Sequence, residues 1–93
     1  MNKQEALQIL RKHLSGYRER PYAELVKLQD SQEVHEFTAE SGVKYTLEFQ
    51  AVIDEPSKRT LRVLGSIDDG GIRAFFPLSE GFTIAPDGSF IDE

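Results

Sequence analysis

Residues 43–53 read VKYTLEFQAVI, and this stretch decides the fold. Val43, Tyr45, Leu47, Phe49, Ala51 and Ile53 alternate with Lys44, Thr46, Glu48, Gln50 and Val52. A period of two is that of a long strand with one buried face and one mostly solvated face. Such a strand needs neighbours, and both flanks supply them. Upstream, Val34 to Ala39 reads as a strand joined through Glu40-Ser41-Gly42, a short glycine-containing hairpin connection. Downstream, the polar segment 54–59 contains Pro56 and reads as a loop, after which Leu61, Val63, Gly65 and Ile67 continue a third strand. Asp68-Asp69-Gly70-Gly71 then forms a turn, and Ile72 to Leu78 is expected to return as a fourth strand. Phe82 and Ile84 begin a fifth, with Ala85-Pro86-Asp87-Gly88 as a turn and Ser89 to Ile91 as its short return.

The residues before the sheet follow a different period. Leu7, Leu10, Leu14 and Tyr17 recur at spacings of three and four, flanked by Ala6, Ile9 and His13, which predicts a helix. Asn2 and Glu5 have the spacing of a capping box at its start, and Gly16 is its expected stop. Pro21 can open a second short helix that turns Tyr22, Leu25, Val26 and Leu28 inward, closed by Asp30-Ser31-Gln32. The fold class expected is therefore α+β, with an N-terminal helix and a short second helix packed on an antiparallel meander of four to five strands. At 93 residues, 39% hydrophobic and 29% charged, the chain has the composition of one folded domain, residues 1–93, rather than of a disordered segment.

Composition also removes functions. There is no cysteine, hence no disulfide framework, thiolate nucleophile or cysteine-ligated metal. No stretch approaches the 18 or so apolar residues of a membrane-spanning helix, and no leader pattern stands at the N-terminus, so a soluble, cytoplasmic protein is expected. The net charge is -5, with residues 1–31 at +2, residues 32–60 at -3 and residues 61–93 at -4. A phosphate-binding loop is excluded at 65–71, because Ile72-Arg73 stands where lysine and a hydroxyl should follow. Asp68 and Asp69 are a possible loop site for a hard cation, but their spacing is not that of a calcium loop. His13 and His35, the only histidines, have no metal-ligand spacing and no nucleophile-elbow partner, so no cofactor, metal site or catalytic residue is assigned. Arg11, Lys12, Arg18 and Arg20, interleaved with Tyr17 and Tyr22, form a small basic patch, too few charges on an acidic protein to favour nucleic acid.

Phe75, Phe76, Phe82 and Phe90 crowd the C-terminal third, and adjacent Phe75 and Phe76 must face opposite sides of any strand. An exposed ring beside Arg73 and Arg62 would make an interaction anchor, so Arg62, Arg73, Phe75 and Phe82 are the candidate interaction surface. The segment VLGSIDDGGIRAFFPLSEGFTIAPDGSFIDE, residues 63–93, resembles the ending of a family of short uncharacterised bacterial proteins, most closely over Gly65–Pro77 and Ala85–Phe90. That resemblance implies a bacterial, cytoplasmic origin and brings no activity, cofactor or catalytic residue with it.

The leading expectation is a non-enzymatic protein-binding or regulatory module, such as the neutralising partner of a toxin or an adaptor, acting through the sheet face or the acidic loop ends. The rival is a minor hydrolase or small-ligand-binding protein built from His35, Ser66 and the Asp68-Asp69 turn. Homodimerisation through an open sheet edge is a third route, with Pro56 and Pro77 placed to blunt edges.

Overall fold

A computed structural model describes residues 2–71 and 77–91. Helix α1 spans Lys3–Arg18, and α2, Tyr22–Leu25, runs on into a 3-10 turn at Val26–Gln29. Five strands follow: β1 Glu33–Thr38, β2 Lys44–Glu55, β3 Thr60–Asp68, β4 Leu78–Ile84 and β5 Phe90–Ile91. They form one antiparallel sheet in the order β1-β2-β3-β4-β5, the meander that the alternating pattern predicts.

Asn2 caps α1 by accepting the Glu5 N–H at 3.1 Å. Glu5 does not complete the capping box; its carboxylate instead accepts from Ser41 Oγ at 2.9 Å and Tyr45 Oη at 2.8 Å, tying the helix start to the β1–β2 hairpin. Burial and this carboxylate push the Tyr45 phenol up to about 12. Gly16 lies inside the last turn of α1 rather than ending it, because Glu19 still reaches the Gly16 and Tyr17 carbonyls. Ala6, Leu10, Leu14 and Tyr17 are the buried stripe, so the inward face is rotated slightly from the predicted one and Leu7 is only half-buried.

The stripe packs mainly on β3 and β4, while the 3-10 turn packs on β2. Tyr45, Leu47, Phe49 and Ala51 of β2, Leu61, Val63 and Ile67 of β3, and Phe82 and Ile84 of β4 complete the core. Among the described residues, no helix packs centrally on β1. Among the described residues no helix lies on the opposite sheet face, which carries Glu48, Gln50, Arg62, Ser66, Ser79 and Thr83.

Most strand ends lie within a residue of expectation, and two differ by more. Asp54 and Glu55 belong to β2, with a bulge between Ile53 and Glu55 before the turn at 56–59. The neighbour of β3 is Leu78–Ile84, not Ile72–Leu78; residues 72–76 lie outside the described residues. Leu78, Glu80, Phe82 and Ile84 alternate on the helix side, and Glu80 is accepted there because Arg11 of α1 forks onto its carboxylate at 2.7 to 3.1 Å.

Candidate functional site

Because α1 sits over β3 and β4, a groove of about 480 Å³ is left between its other flank and the edge strand β1. Helical spacing brings Ile9, Lys12, His13, Gly16 and Tyr17 to one wall, which Arg20 extends just past the end of α1. Strand alternation brings His35 and Phe37 to the other, with Glu33 two residues before them on the same face. The Tyr17 ring stacks on Phe49 at 4.3 Å, so the floor is aromatic and continuous with the core.

The polar groups are ordered by one chain of hydrogen bonds. Tyr17 Oη lies 2.7 Å from Glu33 Oε1 and 3.0 Å from His35 Nε2. A phenol has one proton, and the shorter contact to the charged acceptor takes it, so His35 Nε2 donates to Tyr17 and Tyr17 donates to Glu33. His13 Nδ1 lies 2.9 Å from the Ile9 carbonyl, which can only accept, so that nitrogen carries the proton. Arg20 forks onto Glu33 at 2.9 and 3.2 Å while its guanidinium covers the Tyr17 ring at 4.2 Å.

These contacts set the acidities. Hydrogen bonds from Arg20 and then Tyr17 hold the Glu33 carboxyl below its ordinary value of 4.5, and burial followed by the Glu33 bond raises the Tyr17 phenol. The Arg11 bond likewise lowers Glu80. A depressed folded-state pKa stabilises the fold above the unfolded value and loses that contribution as pH falls through the lowered one. Urea midpoints measured across an acid series should therefore drop below about pH 4.5, and Glu33→Gln should flatten part of that drop.

Other predicted site residues are placed elsewhere. Phe82 is 7% exposed, edge-to-face with Phe90 at 5.7 Å and beneath Arg18, so it is a core ring and not an exposed anchor. Arg62 is exposed on the open sheet face, 3.6 Å from Asp54; Arg73 and Phe75 lie outside the described residues. Asp68 and Asp69 each accept the backbone N–H two residues on, at Gly70 and Gly71, closing the end of β3. Ser66 pairs with Glu48, whereas His35 pairs with Leu47, so serine and imidazole face opposite sides of the sheet and the predicted hydrolase constellation does not form. Arg11 and Arg20 of the basic patch are bound to glutamates.

His13 and His35, which have no metal-ligand spacing in the sequence, have ring centroids 6.1 Å apart. Glu33 escaped notice because it precedes the expected start of β1; its i, i+2 relation to His35 was the available signal. Comparison with family models, curated proteins and solved structures gives no match for this chain.

Proposed function

We propose that this protein is a non-enzymatic binding module that takes an extended segment of another polypeptide along β1, with one apolar or aromatic side chain of that segment seated in the α1–β1 groove. The observation that carries the reading is the groove itself, an aromatic-floored cavity opening beside the edge strand β1, which among the described residues pairs with β2 alone. Strand addition of this kind draws affinity from main-chain hydrogen bonds and specificity from a side-chain pocket.

Three further features support it. The Ala39 N–H turns toward β2 to reach the Val43 carbonyl, so by alternation the N–H groups of Val34, Glu36 and Thr38 turn to the open side. Val34, at 53% exposed, and Phe37, at 39%, lie on this edge strand, and exposed Val43 is next to it in the hairpin. The edge holds no proline, a common edge-blocking device. Glu36 is exposed and the chain carries a net -5, so basic residues flanking the anchor suit the partner. A second copy would instead bring its own Glu33 and Glu36 to the same edge. Masking a basic segment fits a neutralising or adaptor role, and the bacterial setting rests on the C-terminal resemblance alone.

Peptides selected against the protein from a random linear library test this. Glu36→Pro removes an outward N–H without touching the β1–β2 ladder. It should weaken binding of the selected peptides at least about tenfold, the loss of roughly 1.4 kcal/mol in hydrogen bonding and fit. Selected peptides that bind Glu36→Pro as well as the parent, or that fail to emerge at all, contradict the reading; concentration-dependent dimerisation abolished by Glu36→Pro would assign the edge to self-association instead.

A further inference from the structure

We propose that His13 Nε2 and His35 Nδ1 form an open two-imidazole site for a divalent transition-metal ion of the zinc or nickel class in the α1–β1 groove. The inference does not depend on peptide binding there. Each ring already has the feature that orients a metal-binding histidine, its other nitrogen held as a donor. His13 Nδ1 is committed to the Ile9 carbonyl, and His35 Nε2 to the Tyr17 hydroxyl, which in turn donates a hydrogen bond to the Glu33 carboxylate. In the neutral rings, the remaining nitrogens are lone-pair donors, and no protein partner is described for either.

Distance allows a shared ion. A metal about 2.0–2.1 Å from an imidazole nitrogen lies about 3.2 Å from the ring centre, so two rings on one ion have centres about 5.2 Å apart at a tetrahedral angle and about 6.4 Å apart when in line. The observed separation is 6.1 Å, so a tetrahedral ion draws the two rings closer by about 1 Å. Ile9, Phe37 and Tyr17 supply apolar walls, Lys12 and the Glu33-paired Arg20 are the cations of the groove, and imidazole nitrogen selects zinc, nickel or copper over magnesium and calcium. Among the described residues, no group of three or more ligating side chains is found, so water fills the remaining positions and the site is an open one.

The full-length, tag-free chain titrated with zinc chloride should bind one ion, followed by calorimetry and by the imidazole proton resonances, which are unambiguous because the chain has two histidines. Both resonances should shift together at one equivalent. His13→Gln and His35→Gln should each weaken binding at least about tenfold, and Tyr17→Phe, which frees the His35 ring, by about 10–100-fold. Magnesium should leave the resonances unmoved. Absence of saturable zinc binding, shift of only one imidazole, or undiminished affinity in the double histidine variant overturns the site; the imidazole readout on the parent protein stands even if a variant fails to fold.

Discussion

Phe49→Ala should cost about 3–5 kcal/mol of folding stability, the range for truncating a fully buried aromatic ring whose cavity cannot collapse. Phe49 is 0% exposed. Its ring lies against Tyr17 at 4.3 Å and fills the space that Gly65 leaves directly opposite it on β3. The neighbours cannot close in, because they belong to a helix and two strands whose positions are set by other contacts. Gly65 is the complement of this ring: a methyl group there would stand 2.7 Å from Phe49 Cε1 and 3.1 Å from Leu10 Cδ1. Gly65→Ala should therefore destabilise by about 1–3 kcal/mol in the parent and by clearly less in a Phe49→Leu background. Chemical denaturation of the four proteins of that cycle measures the coupling. Since the Phe49 ring backs Tyr17, which lines the groove, the same truncation should loosen the Tyr17–Glu33–His35 chain.

Gly81→Ala is expected to be worse than Gly65→Ala, with a loss of about 3 kcal/mol or more. The obstacle at Gly65 is a ring and the end of a leucine, both able to turn. At Gly81 a Cβ would collide with the Val63 carbonyl oxygen and press on Leu64 Cδ2 at 3.2 Å. A backbone carbonyl moves only with its strand, so β3 and β4 would have to part. Gly16→Ala is the control, for nothing lies within 4 Å of a Cβ there and a helical position prefers alanine. Thermal unfolding of the two variants should move in opposite directions.

Much of this fold is legible because β2 keeps its alternation over the whole buried stretch from Tyr45 to Ala51, and because Leu10, Leu14 and Tyr17 keep the helical period. β4 is not legible in the same way. Glu80 occupies a helix-facing position and Gly81 follows it, so the strand reads as a polar break; the cause is Arg11, 69 residues away, which no local pattern reveals. Apolar Ile72 to Leu78 drew the assignment instead. The candidate site divides along the same line. Its residue types are visible in the sequence, but the register that puts His35 opposite Leu47 and the offset of α1 from β1 are tertiary facts. Only together do they bring His13 and Tyr17 to His35. Phe82 was misread for the converse reason: the cover supplied by Phe90 and Arg18 comes from outside its own strand.

Amide hydrogen exchange, residue by residue, with and without a peptide selected against the protein, tests the central claim most directly. Strand addition at β1 predicts new protection at the outward N–H groups of Val34, Glu36 and Thr38, with little change at His35 and Phe37, whose N–H groups already face β2. Protection that appears instead on the open sheet face around Arg62, Ser66 and Thr83, with those three edge amides unchanged, would contradict it.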